Sequence, residues 1–168
     1  MILVTGANGF VGEALINQLK LLDYQVRGSL RSQSPYGKHE EFVRVSSLDG
    51  NTDWSHALRS CKTVVHLAAM AHSYIGEKSD EDAEFMRHNC EATINLARQA
   101  EEAGVKRFIF LSSTGVMGPQ VTSGIPYVLD SLPNPHDSYT RSKSCAEQGL
   151  IELSDELAME VTILRAPV

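Results

Sequence analysis

The hydrophobic and polar residues of this chain follow two periods, one typical of strands and one typical of helices. Short apolar runs predict six β-strands, at residues 1–4, 24–30, 42–45, 63–69, 107–111 and 160–164. Four helices are predicted between them, at residues 13–22, 53–60, 80–103 and 138–157. Because strands alternate with helices and no segment repeats another, we expect parallel βαβ units in one α/β domain. The expected sheet is doubly wound, with strand order 3-2-1-4-5-6.

Three of the helices carry a stripe at three- and four-residue spacing that predicts their buried face. In the first helix it consists of Phe10, Val11, Ala14, Leu15, Leu19 and Leu22. In the long helix it consists of Phe85, Asn89, Ala92, Leu96 and Ala100, with Gly104 as the stop. In the last helix it consists of Tyr139, Lys143, Ala146, Leu150, Leu153 and Leu157. Asn89 is the polar residue within the second stripe.

A glycine-rich turn, Thr-Gly-Ala-Asn-Gly-Phe-Val-Gly at residues 5–12, joins the first strand to the first helix. Gly6 allows a tight turn, Gly9 allows backbone N–H groups to approach a pyrophosphate, and Gly12 allows the helix to pack closely on the strand. The N-terminus of the helix adds the positive end of its dipole. Turns also recruit glycine when no ligand is present. The position between a strand and a helix favours a nucleotide site.

Small and polar residues follow several of the predicted strands. Ligands of doubly wound sheets bind at the carboxyl ends of the strands, near the switch between strands 1 and 4. Gly6, Ala68, Ser113 and the loop after Leu111 are all expected at that edge. The segment 119–137 contains four of the six prolines, which predicts an irregular loop that roofs the site.

The position of a ribose-binding acid, about 20 residues past the first glycine, holds no carboxylate. No Asp or Glu lies between Asp23 and Glu40, and Arg27 and Arg31 stand there instead. Two readings remain open: the arginines bind the 2′-phosphate of NADP, or they are solvated surface residues. The cofactor is therefore expected to be NAD or NADP.

Tyr139 and Lys143 are four residues apart and so share one face of the last helix. A neighbouring ammonium, with an oxidised nicotinamide, favours the phenolate, so Tyr139 could take the proton of a substrate hydroxyl. Ser113 could hydrogen-bond the same oxygen. Such a pair on an arbitrary helix is usually a core residue beside a partly buried lysine. The glycine turn and the strand-end serines favour the catalytic reading.

Composition limits the other classes of function. The chain has 168 residues and a formal net charge of −6, and its longest basic run is Lys106-Arg107, so nucleic acid is not an expected partner. No apolar stretch approaches the roughly 20 residues of a membrane span, so we expect a cytoplasmic protein. Cys61, Cys90 and Cys145 lack metal-ligand or redox spacing. They are predicted to be three unpaired thiols, and no metal site is expected.

In these motifs the chain resembles the extended short-chain dehydrogenase/reductases, and among them the nucleotide-sugar epimerases. Thr5 to Gly12 matches the cofactor loop of that family, and His66-Leu67-Ala68-Ala69 matches its strand-four motif. Asn89 matches the helix asparagine, Ser112-Ser113-Thr114 the catalytic serine or threonine, and Tyr139 to Lys143 the Tyr-x-x-x-Lys pair. The resemblance covers the whole chain and implies a Rossmann fold over residues 1–168.

The resemblance also implies roles for individual residues. Tyr139 would be the acid/base, Lys143 would lower its pKa and bind the nicotinamide ribose, and Ser113, with Thr114 as the neighbouring candidate, would position a sugar hydroxyl. The implied cofactor-binding residues are Gly6, Asn8, Gly9, Phe10, Val11, Gly12, Arg31, Asp49, Leu67, Ala68, Ala69, Asn89, Tyr139 and Lys143. The implied partner is a nucleotide-diphosphate sugar, and a homodimer is a further expectation.

The chain departs from the family pattern at several positions. Gly115-Val116 stands where sugar dehydratases place an acid, which favours an epimerase or a reductase over a dehydratase. Met117 replaces a common tyrosine, and Ser47 replaces an adenine-binding aspartate, for which Asp49 is the substitute. Family members continue beyond the position of Val168 into a sugar-binding part, so the resemblance implies a truncated chain. A keto-sugar or carbonyl reductase and a non-catalytic dinucleotide-binding module remain the alternatives.

Overall fold

The computed structural model describes residues 1–31, 42–71, 80–119, 128, 131–156 and 158–167. Its strands are β1 (Ile2–Thr5), β2 (Val26–Leu30), β3 (Phe42–Arg44), β4 (Thr63–His66), β5 (Arg107–Ser113) and β6 (Glu160–Ala166). They form one sheet of order β3-β2-β1-β4-β5-β6 in which all neighbours are parallel. The predicted fold and strand order are confirmed. Most of the predicted loop at 31–40, much of the loop at 119–137 and Leu157 lie outside the described residues.

The helices are α1 (Phe10–Leu21), α2 (Ser55–Leu58), α3 (Glu81–Phe85), α4 (Ala92–Glu102) and α5 (Ser138–Ser154). The predicted single helix over 80–103 is wrong in one respect, because a π-helical turn at Met86–Glu91 separates α3 from α4. The extra residue of such a turn barely disturbs the apolar period, so the pattern did not reveal it. Asp137 closes a capping box with Thr140 at the start of α5, which fixes where that helix begins.

Two apolar layers sandwich the sheet, and neighbouring residues of β1 point into different layers. Leu3 packs in the layer beneath α4 and α5, together with Phe108, Leu96 and Leu150. The opposite layer, beneath α1, is smaller and consists of Val4, Ala7, Ile16, Val26 and Leu30. Alternation along one strand therefore accounts for helices on both faces.

The apolar stripe predicted for α1 is only partly buried. Phe10 is 95% exposed and Leu22 is 59% exposed, whereas Ile16, which lies outside the stripe, is 5% exposed. The helix instead approaches the glycine turn along Gly12, where an added Cβ would overlap the Gly6 carbonyl oxygen. This close approach determines which face of α1 is buried. The pattern of apolar residues in the sequence does not reveal it.

The prediction of three unpaired thiols is wrong for two of them. Cys90, in the π-helical turn, is disulfide-bonded to Cys145 on α5, and their Cα atoms are 5.7 Å apart. Cys61 is free and buried. The two partners are 55 residues apart in sequence, and only the packing of α5 against the π-helical turn brings them together.

A buried chain of hydrogen bonds joins β1, β4 and α4. The Thr5 hydroxyl oxygen accepts from the N–H groups of Leu67 and Ala68, both at 3.1 Å, and so it donates its own proton to Nδ1 of His66 at 2.7 Å. Nε2 of His66 then donates to the Thr93 hydroxyl at 3.0 Å. Because Leu67 and Ala68 bond to Thr5 rather than to a strand, β4 ends at His66 and not at Ala69 as predicted.

Neutral His66 is required by this arrangement. Burial, with a smaller contribution from the Lys143 ammonium, lowers the pKa of His66 to about 3 from its ordinary 6.5.

Among the described residues, no helix is both long and apolar enough to cross a bilayer, and no group of three His, Cys, Asp or Glu side chains is placed to hold a metal.

We expect His66 to make the protein less stable as the pH falls from 6.5 toward 3. In that window the unfolded chain binds a proton at His66 that the folded chain excludes, so stability is lost at about 1.4 kcal/mol per pH unit, or about 2 kcal/mol by pH 5. Urea denaturation near pH 7.5 and pH 5 measures the loss. His66→Asn should remove that part of the pH dependence, whereas His56→Asn, at an exposed position, should keep it. Equal pH dependence in both variants would contradict the assignment.

Candidate active site

The glycine-rich turn leads from β1 into the N-terminus of α1. Gly6 has φ +64°, a left-handed conformation that favours glycine, and an added Cβ there would lie 2.9 Å from the backbone nitrogen of Ala68. Gly9 is the N-cap of α1 and donates its own N–H to the Gly6 carbonyl at 2.9 Å. The donors left at the helix terminus are therefore the N–H groups of Phe10, Val11 and Gly12, and Gly9 has no side chain with which to cap them.

A cavity of about 580 Å³ opens beside this turn. Seven of the predicted cofactor-binding residues line it: Gly6, Asn8, Gly9, Arg31, Leu67, Ala68 and Ala69. The other lining residues are Ser29, Leu30, Val45, Leu48 and Trp54. The cavity therefore lies at the carboxyl ends of β1, β2 and β4, the edge expected for a ligand of a doubly wound sheet.

Those five lining residues were not predicted from the sequence, for different reasons. Ser29, Leu30 and Val45 end or follow β2 and β3, so their position at strand ends was a usable signal. Leu48 adjoins the positions considered for adenine binding. Trp54 follows no strand, and nothing in its sequence context indicates that it reaches the cavity.

Arg27 and Arg31, the two candidates for binding a 2′-phosphate, lie in different surroundings in the structure. Arg31 lines the cavity and is exposed. Nη1 of Arg27 instead donates to the carbonyls of Ala57 at 2.9 Å and Arg59 at 2.6 Å. Those carbonyls end α2, where a cation is favourable. The reading of Arg27 as a phosphate ligand is therefore wrong, and Arg31 is left as the candidate.

Asp49, proposed as a substitute adenine contact, lies in the turn beside Leu48. Its carboxylate accepts the N–H of Asn51 at 2.8 Å, and this hydrogen bond is the main reason that the pKa of Asp49 is below its ordinary value. Asp49 is not among the residues that line the cavity. Its adenine contact stays a prediction.

Asn89 is 1% exposed and holds the segment after β4 against α5. Its Oδ1 accepts the N–H of Met70 at 2.8 Å, and its Nδ2 donates to the Met70 carbonyl and to the Ser142 hydroxyl, both at 2.9 Å. All the capacity of the amide nitrogen is used within the protein. Asn89 therefore fixes the backbone beside Ala68 and Ala69, and a direct contact with a cofactor stays a prediction.

The helix α5, which carries Tyr139 and Lys143, packs against β5, which ends at Ser113. Ser113 is 2% exposed, and its hydroxyl oxygen accepts the Gly115 N–H at 3.0 Å, which leaves its proton free to donate. Thr140 is the residue after Tyr139, and an added Cβ on Gly115 would lie 2.8 Å from its Cγ2. The small Gly115 thus allows α5 to approach the strand end that holds Ser113.

Lys143 is 2% exposed, and its Nζ lies 3.9 Å from the centroid of the Phe110 ring on β5. Burial lowers the pKa of Lys143 to about 7, with partial opposition from the Glu147 carboxylate. That carboxylate is itself held by Arg165 through contacts of 2.7 to 3.1 Å. Glu147 therefore stabilises the lysine's charge only partly.

The pKa of Tyr139 shifts in the direction opposite to the sequence-based expectation. Burial, and next the Asp137 carboxylate, raise the pKa of the Tyr139 phenol above its ordinary value. The ring also packs edge-on against Phe85, with centroids 6.2 Å apart. The surrounding protein therefore favours the protonated phenol, a form that donates a proton.

Known proteins match nearly the whole of this chain. The model of the NAD dependent epimerase/dehydratase family matches residues 2–168. A UDP-glucose 4-epimerase of Vibrio cholerae is 37% identical over 169 residues, which are 99% of this chain and 51% of that protein. A 3-beta-hydroxysteroid dehydrogenase of Mycolicibacterium neoaurum is 29% identical over 172 residues, 98% of this chain and 46% of that protein.

A solved structure extends the agreement to the fold. The short-chain dehydrogenase/reductase superfamily protein from Agrobacterium tumefaciens with bound NAD superposes with a TM-score of 0.83 at 33% identity. The match covers 98% of this chain and 48% of that one. The chain spans about half the length of the proteins that it matches. It belongs to the NAD dependent epimerase/dehydratase family.

Proposed function

We propose that this chain is the cofactor domain of an NAD(P)-dependent nucleotide-sugar epimerase, with Tyr139 as the acid/base. The observation that supports the proposal is the packing of α5 on β5, with Nζ of Lys143 over the Phe110 ring and Thr140 beside Gly115, which follows Ser113 by two residues. The relative that is 37% identical is a UDP-glucose 4-epimerase, which supports a nucleotide-diphosphate sugar as the substrate.

The cavity fits a dinucleotide. At Gly6 and Gly12 the protein leaves no room for a Cβ, so only backbone lies at these two positions. The N-terminus of α1 would offer the N–H groups of its first turn to a pyrophosphate. Gly6, Asn8, Gly9, Ala68 and Ala69 would hold the phosphates and sugars. When bound, NAD supplies reversible hydride transfer at its nicotinamide ring.

The protein's own groups handle the proton. Ser113 would donate a hydrogen bond to the reacting sugar oxygen and hold it near the Tyr139 phenol. Tyr139 would accept the hydroxyl proton while the C–H hydride leaves, and would return that proton when the carbonyl is reduced on its other face. A raised pKa of Tyr139 favours the returning step, and protonated Lys143 stabilises the phenolate in the first step.

A reductase is the second candidate, because a dehydrogenase also lies among the relatives. Both enzymes would use the same three residues, and they differ in the fate of the cofactor. An epimerase regenerates its nicotinamide in every cycle, whereas a reductase consumes the reduced form. A non-catalytic dinucleotide-binding module would need none of the three residues.

We expect Arg31 to decide between NADP and NAD. If its guanidinium binds the 2′-phosphate, Arg31→Asp should weaken NADP at least tenfold and change NAD affinity little, because a charge-assisted contact becomes a repulsion. Calorimetric titration of the two cofactors measures this. Arg98→Asp makes the same charge change at an exposed position of α4 and should leave both affinities unaltered. An unchanged ratio of affinities in Arg31→Asp would exclude the phosphate contact.

Tyr139→Phe tests the proposed chemistry. Removing the hydroxyl should lower kcat for UDP-sugar interconversion by about 10² to 10⁴, since the proton loses its acceptor, while NAD affinity changes less than threefold. Activity is measured in the protein as the cell makes it. Tyr24→Phe, at an exposed residue before β2, is the matched control and should be fully active. Full activity in Tyr139→Phe would reject the acid/base role.

A further inference from the structure

Two charged side chains of α5, Lys143 and Glu147, are buried. They are 2% and 3% exposed, and in the described part of the chain no other Asp, Glu, Lys or Arg is buried. The two residues are four apart, so their Cβ atoms lie about 5–6 Å from each other on one face of the helix. A buried charge is unfavourable unless an opposite charge or hydrogen bonds compensate it, so each of the two needs a partner.

The partner of Glu147 is Arg165, near the end of β6. Nε of Arg165 donates to both carboxylate oxygens at 3.1 Å, and its Nη2 donates to Oε2 at 2.7 Å. Within the described residues, no hydrogen bond or ion pair joins this carboxylate to Lys143. Arg165 therefore holds the carboxylate directly, and Glu147 acts on Lys143 only across one turn of the helix.

The elements packed around Lys143 provide no second buried carboxylate. Its Nζ lies over the Phe110 ring of β5, and His66 on β4 is neutral. None of the buried residues of α3, the π-helical turn, α4 or the short helix Thr114–Met117 is charged. On α5 itself, the Tyr139 phenol is the ionisable group one turn before Lys143. Glu147 is therefore the buried anion that can stabilise the Lys143 charge.

We propose that Glu147 is a positioning residue that keeps the Lys143 ammonium charged, and that Arg165 limits this effect by holding the carboxylate. A charged Lys143 would stabilise the Tyr139 phenolate. The inference rests on the proposed function for its effect on catalysis, whereas the coupling between Glu147 and Lys143 needs neither cofactor nor substrate. An ion pair that only ties α5 to β6 would have no such effect on Lys143.

The first experiment follows the protonation of Lys143 by NMR in chains with ¹³C-labelled lysine. The Cε signal of Lys143 is the one that disappears in Lys143→Met, and it should titrate far below the ordinary range, because burial lowers the pKa of Lys143 to about 7. Glu147→Gln keeps the shape of the side chain and removes its charge, so it should lower that pKa by about one unit. Arg165→Met removes the competing cation, so it should raise the pKa by about one unit.

The opposite directions distinguish the proposal from a structural ion pair. Both variants weaken the same contact between α5 and β6, so a structural role predicts shifts of the same sign or no shift. Glu152→Gln makes the same charge change at an exposed position of α5 and should leave the titration of Lys143 unaltered. Shifts of the same sign in Glu147→Gln and Arg165→Met would overturn the inference, and so would an unchanged Lys143 in folded Glu147→Gln.

The second experiment measures the pH dependence of UDP-sugar interconversion in the protein as the cell makes it. If catalysis needs a charged Lys143, Glu147→Gln should move the alkaline fall in kcat to lower pH by about one unit. Glu152→Gln should keep the pH profile of the unmodified protein. An unchanged profile in Glu147→Gln would reject the effect on catalysis.

The outcomes separate the two proposals. If the titration of Lys143 shifts as expected but Tyr139→Phe is fully active, the coupling stands and the proposed chemistry fails. If Tyr139→Phe is inactive but Glu147→Gln leaves Lys143 unchanged, the coupling fails and the proposed function stands.

Discussion

The site depends on the hydrogen bonds of the Thr5 hydroxyl. The hydroxyl oxygen accepts from the N–H groups of Leu67 and Ala68, and the hydroxyl donates to His66. These hydrogen bonds tie the end of β1 to the end of β4, the two strands between which the strand order reverses. The backbone of Ala68 is then so close to Gly6 that a Cβ on Gly6 has no room. The glycine turn and residues 67–69 line the cavity beside this contact, so the shape of that part of the cavity follows from the pairing of β1 with β4.

In the same region, burial lowers the pKa of two basic side chains. His66 lies in the hydrogen-bond chain as a neutral ring, and burial lowers the pKa of Lys143 to about 7. Nζ of Lys143 faces the Phe110 ring, and the nearby carboxylate of Glu147 is shared with Arg165. A lysine with this pKa changes its charge near neutral pH.

Much of the fold was predictable from sequence because its determinants are local. The apolar runs gave six strands, and the alternation with helices gave their order, which the sheet confirms. Gly6 and Ala68 were predicted because turns and strand ends follow a general rule for such sheets, whereas Asn8, Leu67 and Ala69 were predicted from the family resemblance alone. The stripe of the long helix was also correct, since Phe85, Leu96 and Ala100 are buried.

What the sequence could not predict depends on contacts between distant segments. The orientation of α1 follows from the close approach of Gly12 to Gly6. The pattern of apolar residues does not contain this contact, so exposed Phe10 was wrongly assigned to the buried stripe. Arg27 reaches the end of α2, and Cys90 meets Cys145, only after the elements have packed. Trp54 belongs to the same class, because its place in the cavity wall is created by the fold.

The most direct test of the account is a crystal structure of the chain grown with NAD. The account predicts the pyrophosphate at the N-terminus of α1, the adenine on the β2 and β3 side of the cavity and the nicotinamide ring beside Ser113 and Tyr139. A dinucleotide bound outside the cavity, or bound in it with the nicotinamide ring directed toward β3, would contradict the central claim.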